Sequence, residues 1–473
     1  MKFQRISDWS RRHPAAVGCL GLIFLVVVLL VGFDSYTRIR FYSEIRALER
    51  MGIPCDIEGF AERQRSSGAS EELTREFQKL CDAISTDGFP PPDNTSSMML
   101  LTLEDLPAFL AERAEKLRAA DRFLDEHPDW IVWRDFSGYS VSSSEASVAE
   151  LLRIRAYVSL NHDRFFYALL QDDPEEAIRN FDRSAILRDY ALRDPLLYGY
   201  LLARQLERIR LDSLFDSAFG GKLELFDSST LKRWADSMPE IEAAFRSGAR
   251  RAMESDLGLC ADALAHPQNL YSYLEDPDAD ESAFLTLLRP LVRLDGAATL
   301  RVCRETVLPL AAEDYTPETA RKLAPFQTGS AGRGLWAWLF APVSETILPS
   351  IPFLFQNTSV IYARCRVVRT GLAVELFWRK YGRLPEKLDE LVPEFLSSVP
   401  VSPFTEKPLR IEVGTLDYYR PETKSIGNFE GYRVYIDGDP TEPPVGLTRT
   451  DRNGRIPVWN RAMKLSGGGE GKE

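Results

Sequence analysis

Between Pro14 and Phe33 the chain carries no Asp, Glu, Lys, Arg or His, and from Ala15 to Phe33 it reads AAVGCLGLIFLVVVLLVGF. Twenty residues at the helical rise of about 1.5 Å reach about 30 Å, the thickness of a bilayer's hydrocarbon core. A soluble helix of this length keeps a polar face, so 15–33 is expected to be a transmembrane helix with the lipid bilayer as its partner. A secretory leader ends in small residues at a cleavage site. Here the exit is Leu30, Val31, Gly32, Phe33 and Asp34, so an uncleaved anchor is expected. Ala16-Val17-Gly18-Cys19 has the order of a lipoprotein site but precedes the apolar run instead of following it.

Basic residues flank the run on both sides, Lys2, Arg5, Arg11 and Arg12 before it and Arg38, Arg40, Arg46 and Arg50 after it. Their number therefore does not orient the helix. Overall charge is more informative. Residues 1–14 are a basic tail whose four basic side chains and Asp8 leave +3, so the rest must carry −15 to give the net −12. A basic tail inside and a large acidic body exported is the expected topology.

About 440 residues follow the anchor, enough for more than one core. An apolar content of 44% with 27% charged residues is that of a globular body. The acidic balance, with no Lys/Arg block among aromatics, argues against nucleic acid as a partner. Residues 34–92 read as stalk and linker. Ile39, Tyr42, Ile45 and Leu48 recur at helical spacing, Gly52 and Pro54 stop that helix, 71–84 is helical again, and Asp87-Gly88-Phe89-Pro90-Pro91-Pro92 breaks the pattern.

Residues 93–324 are expected to form a helical, repeat-like domain, rich in Leu, Ala, Arg and Glu. Its breaks fall at His127-Pro128, Asp173-Pro174, Asp194-Pro195, Gly220-Gly221, Met238-Pro239, His266-Pro267 and Asp276-Pro277. Residues 325–357 are an apolar connector, interrupted by Pro342, Pro349 and Pro352 and so unsuited to span a membrane. A buried loop and short helix is expected there, the membrane interface being the other home for Trp336 and Trp338.

Motifs of catalysis are absent from the sequence. Of the four histidines, His13, His127, His162 and His266, only His162 sits beside an acid, in Asn161-His162-Asp163, and a surface position is expected for it. Gly329-Ser330-Ala331-Gly332-Arg333-Gly334 lacks the G-K-[ST] of a phosphate loop and reads as a connector. The acidic pairs Asp172-Asp173 and Glu175-Glu176 suit a helix start. Neither a catalytic set, a metal nor a cofactor is expected. The cysteines lack metal spacing. Cys55 could bridge to Cys81 and Cys260 to Cys303, or all could be small buried apolar residues.

The C-terminal region is the most patterned. Residues 358–380 read as an amphipathic helix with Ile361, Cys365, Val368, Leu372 and Leu376 in its stripe, flanked by Trp378 or Arg379. It stops at Tyr381-Gly382-Arg383-Leu384-Pro385, where Gly382 can turn left-handed and Pro385 bars resumption. Then come a short helix from Leu388 through Leu391 to Pro393, a turn with Pro400, Ser402, Pro403 and Phe404, and strands from Pro408 to Val413 and 431–437.

This order resembles the C-terminal half of type II secretion pseudopilins and a module of planctomycete- and verrucomicrobial-type membrane-anchored envelope proteins. The resemblance implies a small α+β module with an antiparallel sheet, placed at 358–440, and a bacterial envelope setting. It differs from pseudopilins at the anchor, where Gly32-Phe33 comes at the wrong end and no Glu lies in the span, so a filament is not implied. The family's acidic calcium loop is reduced to Asp437 and Asp439, with Ser402 where Asp is common. Separately, 165–187 resembles half of a tetratricopeptide repeat without a second copy. Residues 441–473 are expected to be a tail, at least partly disordered.

The expected whole is mainly α: a transmembrane helix, a helical domain and a small α+β module. The expected protein is a single-pass component of a bacterial inner (cytoplasmic) membrane with its C-terminal bulk in the periplasm. It would act as a non-catalytic scaffold or accessory subunit that binds other envelope proteins, the alternative being a membrane-anchored envelope hydrolase.

Overall fold

The structure is a computed structural model that describes residues 14–84, 105–136, 141–266, 283–327, 348, 350–420, 425–436 and 458–463. The fold is mainly α with one small antiparallel sheet. Helix α1 (Pro14–Arg50) carries the apolar run and continues unbroken into the stalk. Among the described residues it alone is long and apolar enough to cross a membrane. Only 6% of its apolar window is buried. From Thr37 onward α1 turns Phe41, Ile45 and Leu48 into the body, a spacing that keeps one face inward.

The body is built from α2 (Ile57–Ser67), α3 (Glu71–Ile84), α4 (Leu106–Glu112), α5 (Ala114–Glu126), α6 (Val141–Leu170), α7 (Pro174–Arg193), α8 (Leu197–Phe219), α9 (Ser228–Ala265), α10 (Ala283–Val302), α11 (Pro317–Gln327) and α12 (Ser350–Tyr381). Local chemistry sets many of the ends. The Asp173 carboxylate caps α7 by accepting from the Glu176 amide, with Pro174 in the first turn, and Asp227 caps α9 by accepting from the Thr230 amide. The tetratricopeptide-like stretch is the hairpin of α6 and α7.

The expected break at Met238-Pro239 does not occur. Helix α9 runs straight through Pro239 because Trp234, Met238, Ile241 and Phe245, on both sides of it, bury along one continuous face. That packing outweighs the backbone hydrogen bond a proline removes.

Two hydrophobic cores result. The main core gathers α3, α5 to α8, the first part of α9, α12 and the sheet. The stalk core joins Phe41, Ile45 and Leu48 of α1 to Met253, Leu257, Ala261 and Leu264 at the far end of α9, and to α10 and Ile351 and Phe355 of α12. Residues 325–357, expected to be a connector, are thus partly helix: the end of α11 and the start of α12 are described, while the Gly-rich stretch, Trp336 and Trp338 lie outside the described residues.

Helix α12 starts earlier than the expected 358 and is not amphipathic. Between 358 and 375 it is buried nearly all round, Arg364, Thr370 and Glu375 included, because α8 and α9 cover one flank and the sheet another, while Phe353 near its start and Tyr381 at its end are exposed. The module that follows has the expected parts. Gly382 adopts φ 66° and its amide donates to the Trp378 carbonyl, closing the helix below the exposed Tyr381. After Pro385, Leu388 and Leu391 are buried in a 3-10 turn, and Pro393 follows. Pro400 accepts from the Leu409 amide, Val401 bridges to Pro408, and Ser402 Oγ accepts the amides of Phe404 and Thr405 across Pro403.

Strand β1 (Arg410–Arg420) pairs antiparallel with β2 (Ser425–Tyr435). A third strand, β3 (Val458–Ala462), pairs antiparallel with β2. It comes from the stretch expected to be a tail, so the module does not end at 440. Trp459 of β3 is fully buried over Gly371 of α12, where any side chain would collide with its ring. Asp437 and Asp439 lie outside the described residues.

Candidate functional site

Helix α8 has a polar face that is not exposed. Glu207, Arg210, Asp212, Ser213 and Ser217 are all buried, since α6, α7, α9 and α12 surround it. Most of these charges are matched within the protein. Glu207 receives Arg188 Nη1 at 3.0 Å and Arg210 Nη2 at 2.7 Å. Burial pushes the Glu207 carboxyl up, and the two guanidiniums outweigh it and hold the carboxyl below its usual range. Asp212 pairs with Arg364 of α12. Asp121 takes Arg164, Arg183 and the Tyr157 hydroxyl, and Glu375 takes Arg461 of β3 at 3.2 Å. The pairs Asp172-Asp173 and Glu175-Glu176 do lie at the start of α7, while other acids, which the sequence did not single out, hold the interior together.

His162 is corrected too. It is buried in α6 at 4% exposure, with Nδ1 2.7 Å from Ser213 Oγ and its ring edge-on to Phe166. The reason is that α6 is packed on more than one side here, against α7 and α8, so that Asn161, His162 and Asp163 are all buried and His162 meets Ser213 of α8. His162 and Ser213 line neither of the two cavities described below. His127 ends α5 against Phe123, and His266 ends α9 beside Asp262. Among the described residues no group of three His, Cys, Asp or Glu could hold a metal.

Of the two possibilities for the cysteines, the bridges are not formed: Cys55, Cys81, Cys260 and Cys303 carry free thiols, three of them buried and Cys260 partly so. Cys55 belongs to the stalk core and Cys81 to the main core, so the two are built into different clusters. Cys260 and Cys303 instead face a common space.

That space is the candidate site. It is a cavity of about 250 Å³ where the two cores meet. Helix α8 presents Leu197, Leu201, Arg204 and Gln205 to it, and α9 presents Met253, Asp256, Leu257 and Cys260. Both sets follow the three-and-four spacing of a single helix face. Helix α12 adds Ile351, Phe353 and Leu354. The fourth wall is a π-helical turn, Cys303–Val307, at the end of α10, whose wider loop turns both Cys303 and Val307 to the cavity. Such bulges recur at functional sites.

The cavity has two polar poles. At one, Arg204 Nη1 is buried without a hydrogen-bond partner among the described residues. Burial and the neighbouring Arg208 both lower its affinity for its proton, and Tyr200 only partly opposes them. At the other, Asp256 makes no hydrogen bond or ion pair among the described residues, and burial alone raises its carboxyl to about 6. The Cys303 thiol is pushed up to about 12 by burial and by Asp256, and Cys260 is pushed up for the same reasons. A second cavity, of about 270 Å³, lies beside Met238, Pro239, Arg366 and Val401 and borders the Glu242–Arg366–Asp314 ion pairs.

Sequence reasoning missed this site. Its one signal was the repeat of Met253, Asp256, Leu257 and Cys260 along α9, which singles out an acid on an otherwise apolar face. Compared with family models, curated proteins and solved structures, the chain matches none.

Proposed function

We propose that the chain is a single-pass membrane protein of the bacterial cell envelope, held in the cytoplasmic membrane by 15–33 with its acidic body in the periplasm. Its body is a non-catalytic accessory subunit that binds other envelope components. The observation that carries this reading is the division of labour among charges. Most buried ionic groups of the main core bind one another, while the cavity at the junction of the cores is walled mainly by aliphatic side chains and rimmed by Phe353, 51% exposed, with the exposed Tyr198 beside its α8 wall. Apolar concave sites with few polar groups are the usual form of a binding site.

Two experiments test it. A photo-crosslinker placed at Phe353 in cells is expected to give discrete adducts with envelope components. A reporter active only outside the cytoplasm, fused after Glu473, is expected to be active; activity of a cytoplasmic reporter there overturns the orientation.

One observation favours the second reading, an envelope hydrolase: the His162–Ser213 contact at 2.7 Å is the geometry of a base beside a hydroxyl nucleophile. A fluorophosphonate probe discriminates. No adduct at Ser213 is expected; an adduct lost in both Ser213→Ala and His162→Gln would replace the binding reading with the hydrolase.

A further inference from the structure

The cavity between the cores holds charges without a partner among the described residues. We propose that it binds a single-chain amphiphile with an anionic head, of the class of a medium-chain carboxylic acid. The acid lies on Arg204 and the chain runs between α9 and α12. The inference rests on reading the body as a binding subunit and names the ligand class of its cavity.

Size is the first argument. An apolar cavity of about 150 Å³ accepts a benzene ring. About 250 Å³ therefore holds more than a ring but less than a drug-sized molecule. The walls are the second. Leu201, Met253, Leu257, Val307, Ile351 and Leu354 are flexible and aliphatic, and the one aromatic ring, Phe353, is at the exposed edge. A flat aromatic ligand would find nothing inside to stack on, whereas a hydrocarbon chain loses only water.

Charge is the third argument, and it sets the ligand's direction. The buried arginines Arg188, Arg210, Arg364 and Arg461 each meet a carboxylate. Arg204 meets none among the described residues, and the neighbouring charge that acts on it, Arg208, has the same sign. A partly buried guanidinium without a counter-ion is costly, and a ligand carboxylate would supply two parallel hydrogen bonds to its planar fork. Gln205, exposed beside it, adds an amide donor. Asp256, at the pole shared with Cys260 and Cys303, repels an acid from that end.

The test uses the full chain in phosphatidylcholine nanodiscs. Iodoacetamide alkylation of Cys260, which faces the cavity and is only partly buried, is followed by peptide mass mapping with decanoate, decanol or decylamine present. This readout is local to the cavity and insensitive to ligand dissolved in the bilayer. Decanoate is expected to slow Cys260 alkylation about tenfold more than decanol, the worth of one charged hydrogen-bonded contact. Arg204→Gln should erase that difference, Arg204→Lys should keep part of it, and Leu257→Trp should abolish protection by every probe. Melting curves of the variants show that they are folded. The proposal is overturned if decanoate gives no protection, if decylamine protects better, or if folded Arg204→Gln behaves as the parent. Failure here leaves the binding-subunit reading to the Ser213 probe, whose outcome does not depend on decanoate.

Discussion

The main core and the stalk core bury carboxyl groups to opposite effect. In the main core Glu207 is fully enclosed, yet its carboxyl is held below its usual range. Where the stalk core begins, Asp256 on α9 is pushed up to about 6. Burial acts in the same direction on both. What differs is company: two guanidiniums at Glu207 and, among the described residues, none at Asp256. Enclosure alone therefore does not tell whether an acid is a structural tie or a group left for a ligand; its partners do. The same contrast separates Arg210 from Arg204, one helical turn and a half apart on α8.

The largest effect that could break this contrast is expected from Glu207→Ala. It leaves Arg188 and Arg210 buried without the carboxylate they share, a loss of about 3–5 kcal/mol for one partner of a buried pair. Urea unfolding of the full chain in micelles measures it. A loss below about 1 kcal/mol would mean that the ties are no better than surface pairs.

Next in size is Asp256→Asn, expected to stabilise the protein by about 3 kcal/mol at pH 7, from the cost of ionising that carboxyl when buried. The folded chain keeps the Asp256 proton up to about pH 6, while the unfolded one releases it near the ordinary 3.8. Its contribution therefore favours the folded state in acid and fades as pH rises from about 4 to 6. Glu207 has the opposite slope, since its depressed carboxyl stabilises above its ordinary 4.5 and that contribution is lost as pH falls. Melting temperature against pH for parent and Asp256→Asn measures this, and a gain that persists unchanged at pH 4 would remove the contrast.

A kinetic test sharpens it further. Without ligand, Cys260 should be alkylated before Cys303 and Cys365, which are buried at 5% and 1% exposure. Simultaneous labelling would indicate global opening in place of access through the cavity. The smallest effect is expected from Asp173→Ala, which removes only the cap on α7, worth about 1 kcal/mol, and should leave both cores' pH behaviour unchanged.

How far the sequence foretold all this depends on whether a feature is local. The stop at Gly382, the buried turn at Leu388 and Leu391 and the cap at Asp173 are written within a few residues of themselves and were legible. So was α1, whose apolar run has no polar interruption. Pro239 misled because a helix break is a local rule and the packing of Trp234 and Phe245 that overrides it is not. The ion pairs were invisible for the same reason. Arg364 and Asp212 lie 152 residues apart, and neither is distinguishable in the sequence from a surface charge. The cavity is set by four segments, so only the α9 portion of it left a trace. His162 was read as exposed because its partner, Ser213, is 51 residues away.

The third strand adds a consequence for how the molecule is made. Arg461 reaches Glu224 across 237 residues and Glu375 across 86, and Trp459 fills the slot over Gly371. Until β3 is in place, Glu375 of α12 keeps only its partner one turn on, Arg379, and the slot over Gly371 that Trp459 fills stays open. Contacts so distant in sequence form late, because the entropy of closing the intervening chain comes first. A chain that stops before Trp459 keeps that groove open and is expected to be more prone to aggregation and proteolysis than one that carries β3.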